Sequence, residues 1–217
     1  MTDATNRGGL FITFEGPDGS GKSTQARLLA ARLRANGRVV LESAEPGGTP
    51  IGQKIRAILL DPANQELCDT AELLLMFAAR AQNVDQWIAP ALAAGKIVIS
   101  DRFTDSTLAY QGAGRSLGAQ TVLEVDRIAC RGLKPDLTIV VDVDAGVGLA
   151  RAHERNRARG DLSESRIDAQ ELEFHHRVRA AYHELASREP NRVHLIDGNA
   201  PEAAVAERVW SVVSRVL

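Results

Sequence analysis

LFITFEGPDGSGKSTQARLLAARLRA, residues 10–35, decides the fold. Its opening, Leu10 to Phe14, is a short apolar run followed by glycines, the pattern of a strand buried on both faces. From Ser23 to Ala35, apolar residues at Ala26, Leu29, Ala30 and Leu33 recur at helical spacing, and Asn36-Gly37 stops the helix. Between strand and helix, GPDGSGKS (residues 16–23) matches G-x-x-x-x-G-K-[ST] in full. A polyphosphate needs many close donors. Gly16, Gly19 and Gly21 remove the Cβ atoms that would keep backbone N–H groups away from it. The helix that follows turns its positive end toward the anion. Lys22 supplies a point charge to the β- and γ-phosphates, and Ser23 a hydroxyl to Mg²⁺. Pro17, Asp18 and Ser20 fill the variable places, and Thr24 completes the ATP-binding set.

The same alternation continues outward. Val39 to Leu41, Ile97 to Ile99, Leu137 to Val141 and Val193 to Ile196 are further short apolar runs. Helical patterns fill the intervals: Ile51 to Leu60, Asp69 to about Ala94, Thr104 to Gln111, Ala119 to Arg131, one from Val147, Asp168 to Ser187, and Pro201 to Val216. Asp69 with Glu72 has the spacing of a capping box. Unbroken apolar strands alternating with helices predict an α/β fold: a five-stranded parallel sheet covered on both faces. In such sheets ligands bind beyond the carboxyl ends of the strands. The glycine loop, Glu45-Pro46, Asp101-Arg102 and Asp142 all fall there.

Composition narrows the function. The chain has 217 residues, 44% hydrophobic and 25% charged, enough for one domain with a sizeable core. A net charge of −2 excludes a broadly basic surface for nucleic acid or anionic membrane. Cys68 and Cys130 are too few for a disulfide framework, lack metal-ligand spacing, and read as small core or interface hydrophobes. No apolar run reaches membrane-spanning length. Residues 1–9 are polar, without the apolar stretch of a signal peptide, so the expectation is a loose tail, a single domain over 10–217 and a cytoplasmic protein.

One basic patch stands out. Arg151, Arg155 and Arg159 repeat every four residues and share a helical face, with Arg157 between them and Gly160 after. Two readings fit: a solvated helix with Glu154 as partner, or a lid over about 151–166 whose arginines neutralise charge on a transferring phosphoryl group. Phe77 and Arg80, three apart on a helix, also allow two readings. They are a core ring beside a solvated Arg, or a ring and fork that stack on a base and bond its edge.

Taken in order, FEGPDGSGKST (14–24), EPGGT (45–49), LMFAAR (75–80), DRFTDSTLAYQG (101–112) and PDLT (135–138) resemble the thymidylate kinase family over nearly the whole chain. The resemblance implies a P-loop fold of nucleoside monophosphate kinase type that phosphorylates dTMP with Mg·ATP. It gives Asp18 to the sugar 3′-hydroxyl, Phe77 to stacking on thymine, Arg80 to its carbonyl edge and Pro46, in a form that allows a cis peptide, to its methyl side. It gives Arg102 and Arg56 to the acceptor phosphate and Asp101 to the Mg²⁺ region. Ser106, Thr107, Tyr110 and Gln111 line the base and sugar pocket, with Tyr110 as the wall against a 2′-hydroxyl; α-helical spacing does not put all four on one face. The phosphate loop has no arginine at its variable positions, which resembles the bacterial type with the catalytic arginine in the lid: Arg155, Arg157 or Arg159, with Arg151 toward ATP. Ala44 and Ser165-Arg166-Ile167-Asp168 depart from the family pattern. The resemblance also implies a homodimer, with the helix around 69–94 contributing to the contact. Another nucleoside or nucleoside monophosphate kinase on this fold, or a non-catalytic nucleotide-binding module, are the alternatives.

Overall fold

The computed structural model describes residues 8–159 and 166–217. Of the expected tail only residues 8 and 9 fall within it, and the loop at Gly160 and Ser165 lies outside the described residues. The strands are β1 (Leu10–Glu15), β2 (Val40–Ala44), β3 (Ile97–Asp101), β4 (Leu137–Asp142) and β5 (Val193–Asp197). All pair in parallel, in the order β2-β3-β1-β4-β5. The connecting helices among the described residues are α1 (Lys22–Ala35), α2 (Pro50–Leu60), α3 (Asp69–Asn83), α4 (Ala89–Ala93), α5 (Thr104–Thr107), α6 (Ala119–Cys130), α7 (Ala145–Arg159), α8 (Leu172–Arg188) and α9 (Glu202–Val213).

Successive strand residues point to opposite faces, and helices cover both, so both sets are apolar. Ile12 and Phe14 of β1 pack with Leu29 and Leu33 of α1 and Val205 and Val209 of α9. Phe11, the residue before Ile12, packs on the other face with Leu73 and Phe77 of α3, Phe103, and Val122 of α6. Polar groups inside the sheet are hydrogen-bonded: Thr13 and Thr138 share a hydrogen bond of 2.9 Å, and Thr138 also donates to Asp105 at 2.9 Å. The chain places β2 and then β3 on one side of β1, and β4 and β5 on the other. The loop leaving β1 therefore opens where the strand order reverses, the place where such sheets bind ligands.

Several local expectations change. The capping box at Asp69 does not form: Cys68 is the N-cap, and Glu72 is fully buried with its carboxylate on Gln111, Arg115 and Arg166. Cys68 is accordingly exposed and precedes the helix, while Cys130 is buried at the end of α6. The helix expected from 69 to about 94 is continuous but carries a π-helical turn over Val84–Ile88 between α3 and α4. The helix expected from Thr104 is α-helical only to Thr107, and Leu108–Gly114 is π-helical. The helix expected from Asp168 begins later, at Leu172, and the one expected from Pro201 begins at the next residue, Glu202.

Candidate active site

The carboxyl ends of β1, β2 and β3, with α2, α3, α5 and α7, enclose a cleft of about 720 Å³. Its floor is the glycine loop. Gly16 (φ 130°) and Gly19 (φ 72°) take left-handed backbone conformations, and a Cβ on either would run into a carbonyl oxygen, of Val141 and Gly148 respectively. Gly21, the N-cap of α1, has open space where its Cβ would be. The first N–H groups of α1 are thus presented to the cleft. Lys22 is 7% exposed, donates to the Pro17 carbonyl at 3.2 Å and lies 3.6 Å from Asp18. Burial and the nearby Arg102 charge push its ammonium below the ordinary lysine value.

Ser23 donates its hydroxyl to Asp101 Oδ2, and Asp101 Oδ1 is buried with no hydrogen-bond partner. A hydroxyl and a carboxylate with a spare oxygen are the all-oxygen donors that suit Mg²⁺. No cluster of three His, Cys, Asp or Glu among the described residues could hold a metal by itself. A cation here would draw its remaining ligands from phosphate and water.

Across the cleft, Arg102 is the centre of a buried network. Its Nη2 donates to Asp18 Oδ1 at 2.5 Å and Tyr110 Oη at 3.1 Å. Its Nη1 donates to Ser106 Oγ at 2.9 Å and the Gly16 carbonyl at 3.2 Å. Tyr110 in turn donates to Asp18 Oδ2 at 2.7 Å. Burial would raise the Asp18 carboxyl, but the Arg102 and Lys22 charges outweigh it and hold the group well below the usual carboxylate range. Asp18 is therefore a fixed anion inside an anion-binding loop, neutralised by two cations.

Arg80 is 2% exposed, so the reading of a solvated arginine is overturned. Glu45 accepts from its Nε at 2.5 Å, and its Nη2 donates to Thr107 at 3.0 Å. Its Nη1 is buried without a partner, and the residue lines the cleft. Phe77 does not reach the cleft. It is 2% exposed, sits in the core cluster with Phe11 and Phe103, and lies under Arg80, whose guanidinium carbon is 4.7 Å from its ring centroid. Met76, four residues before Arg80, lines the cleft instead. In this structure the Phe77 ring thus faces the core and the Met76 side chain the cleft: one step along α3 rotates a side chain by about 100°. Ser106, Thr107, Tyr110 and Gln111 all line the cleft. The π-helical turn over Leu108–Gly114, closed by Arg115 N–H to the Tyr110 carbonyl at 2.9 Å, has more residues per turn. That wider turn turns them to one side.

Pro46 follows a cis peptide and lines the cleft, as do Arg56, whose Nη1 donates to the Pro46 carbonyl at 2.9 Å, and Gln53. Ala44 also lines the wall. Of the basic patch, Arg151 and Arg155 face the cleft, and Arg157 does not. Arg157 lies two residues beyond Arg155, on the opposite side of the helix. The Arg159 side chain lies outside the described residues. Arg166 is buried away from the cleft, with Nε on the Leu59 carbonyl at 2.6 Å and Nη2 on Glu72 at 2.6 Å. Asp168 lines the cleft, accepts from Asn156 at 3.0 Å and lies 3.7 Å from Arg155; burial and the Asp18 charge raise its carboxyl. Met76, Gln53 and Asn156 carry no motif in the sequence; the only signal for Met76 and Gln53 is helical spacing from Arg80 and Arg56, and Asn156 has none.

A phosphate loop at the switch point of a 2-3-1-4-5 parallel sheet, facing an arginine-lined second pocket, defines a P-loop kinase of the nucleoside monophosphate kinase type. Residues 14–209 match the family model described as thymidylate kinase. The chain is 50% identical over 209 residues to the thymidylate kinase of Solidesulfovibrio magneticus, covering 96% of this chain and 100% of that one. It is 51% identical to that of Thermomicrobium roseum, covering 95% of each. The crystal structure of thymidylate kinase from Ehrlichia chaffeensis superposes with a TM-score of 0.75 at 34% identity, covering 95% of this chain and 98% of that one. The chain belongs to the thymidylate kinase family.

Proposed function

We propose that this cleft transfers the γ-phosphate of ATP to dTMP, giving dTDP and ADP. The observation that carries the reading is the convergence of Lys22 and Ser23, which face a donor polyphosphate, with Arg102, Asp18, Tyr110 and Arg80 in one cavity. ATP takes the loop from Gly16 to Thr24, with Arg151 above it. The acceptor takes the deeper end. Arg80 Nη1, unpartnered and buried, meets a base carbonyl. Met76 and Pro46 pack on the ring, with Thr107 and Gln111 at its edge. Tyr110 fills the space a 2′-hydroxyl would need, and Asp18 accepts from the 3′-hydroxyl. Arg102 and Arg56 hold the acceptor phosphate, whose oxygen is already anionic, so no strong general base is required.

Catalysis is then positioning plus charge neutralisation by Lys22 and the lid arginines. Mg²⁺ held through Ser23 and Asp101 would supply further neutralisation of the β- and γ-phosphates when bound. We read 10–217 as one kinase domain with its lid at about 151–166. Closure of that lid excludes water, the competing acceptor. We read the enzyme as cytoplasmic. No helix among the described residues is long and apolar enough to cross a membrane. A homodimer fits the side-by-side α3 and α6, which expose Leu74, Leu123 and Ile128. The test is ADP release across dTMP, dUMP, dCMP, AMP and GMP. Fast turnover of dTMP is expected, and robust turnover of AMP with none of dTMP would end the reading.

A further inference from the structure

Arg102 has φ 73°, in the left-handed region that non-glycine residues rarely occupy. Something must hold it there. Its own N–H bonds the Phe14 carbonyl at 2.9 Å, and Ser100 Oγ donates to its carbonyl at 2.8 Å. The next N–H, that of Phe103, donates to Glu15 Oε1 at 2.7 Å. The other carboxylate oxygen of Glu15 accepts from Ser106 Oγ, the same hydroxyl that accepts from Arg102 Nη1 at 2.9 Å. Glu15 thus grips both the backbone turn that carries Arg102 and the hydroxyl that seats its guanidinium. It is 0% exposed and is not part of the cleft lining.

We propose that Glu15, through its carboxylate, is the positioning residue that aims Arg102 at the acceptor phosphate. This rests on the reading of Arg102 as the acceptor clamp. The hydrogen-bond count gives the reason. A carboxylate only accepts, so Ser106 must donate to it, and both Ser106 lone pairs remain for Arg102 and for Tyr182, whose hydroxyl is 2.9 Å away. A protonated Glu15 that donates to Ser106 would compete with Arg102 for those lone pairs. The charged and titratable groups facing Glu15 are Asp105, Arg102 and Tyr182, with Arg192 behind Asp105 at 2.7 Å. Burial, and then the Asp105 charge, push its carboxyl up to about 8.

The test is steady-state kinetics of the full chain from pH 6 to 10, wild type against Glu15→Gln, varying dTMP and ATP separately. The amide copies the protonated carboxyl. kcat/KM for dTMP should rise in the wild type as pH passes about 8, where Glu15 ionises. In Glu15→Gln it should stay low, by about 10- to 100-fold at pH 9, and lack that rise, with KM for ATP unchanged. Stability should move the other way. A carboxyl raised by folding stabilises below its unfolded value of 4.5 and loses that contribution as pH rises through about 8. The Tm of Glu15→Gln at pH 9 should therefore equal or exceed that of wild type, which a merely structural role would not give. Unchanged dTMP kinetics in Glu15→Gln, or equal losses for ATP and dTMP with a lower Tm, would overturn the proposal. If Glu15→Gln does not fold, the wild-type profile decides: a rise near pH 8 for dTMP and not ATP supports it, and its absence refutes it. A wild type that does not turn over dTMP at all would instead sink the parent reading.

Discussion

Met76 and Phe77 are adjacent in the chain and face different surroundings, one the ligand cleft and the other the core. Their substitutions should therefore separate. Met76→Ala should raise KM for dTMP severalfold, leave KM for ATP alone and change Tm little, because the side chain packs on ligand. Phe77→Ala should cost about 3–5 kcal/mol of stability, read by denaturant unfolding, because it empties a space beneath Arg80 in the core cluster that holds Phe11 and Phe103. A dTMP-specific effect in Phe77→Ala without loss of stability would restore the ring to the base. At this scale the sequence is legible where chemistry demands a residue type. The glycines, Lys22 and Ser23 are of that kind, since backbone approach and a phosphate charge admit few substitutes. It is illegible where only direction matters, because a helix pattern with apolar residues at both 76 and 77 does not say which one the cavity lies beside. The Glu15 role is hidden for a related reason. An acid at the end of an apolar strand looks like the end of burial, and only the fold shows it sealed inside with the Phe103 N–H and Ser106 as donors.

Among the elements, Glu72 ties three parts of the chain that are distant in sequence. It is buried in α3 and takes bonds from Gln111 on the π-helical segment at 2.9 Å, from Arg115 at 3.1 Å and from Arg166, at the far end of the lid, at 2.6 Å. Burial alone would raise its carboxyl, but its arginine and glutamine donors outweigh that and depress it. A carboxyl depressed by folding stabilises above its unfolded value of 4.5, and the contribution is lost as pH falls through the lower folded value. Wild-type Tm should accordingly drop on the acid side of about pH 4.5, and Glu72→Gln should flatten that drop while lowering Tm at pH 7. Removing the buried partner of two arginines should cost about 3–5 kcal/mol at neutral pH. A neutral-pH Tm equal to wild type would show that the tie carries no load. The elements themselves are largely legible, since five apolar runs and their intervals give the sheet and its layers. The capping-box spacing of Asp69 and Glu72 misleads because a local pattern is outcompeted by three long-range donors. The π-helical turns are invisible because they change residues per turn without changing composition.

For the whole molecule, the fold supplies the donor site from one side of the switch point and brings the basic helix α7 over it from the other. α7 starts three residues after β4 ends, and a Cβ on Gly148 would strike the Asp18 carbonyl, so the first turn of α7 lies directly against the phosphate loop. That packing fixes which face of α7 the cleft sees. Arg151 and Arg155, one turn apart, are on it, and Arg157 is on the far side. Arg155 rests on Asn156 at 3.2 Å and within 3.7 Å of Asp168, exposed enough to swing toward a phosphate. The spacing of arginines in the sequence gives the face but not its direction, which is set only when β4 places α7 on the loop. The expected result is that Arg155→Ala lowers kcat by about 10²- to 10³-fold with modest change in either KM, as removal of a group that acts on developing charge should. Arg157→Ala should stay within about threefold of wild type, since it meets solvent. Single-turnover kinetics at saturating dTMP and Mg·ATP separates the chemical step from product release. If Arg157→Ala gives the larger loss of that step, the lid must roll about its own axis as it closes, and the face seen here is not the one that meets the phosphoryl group.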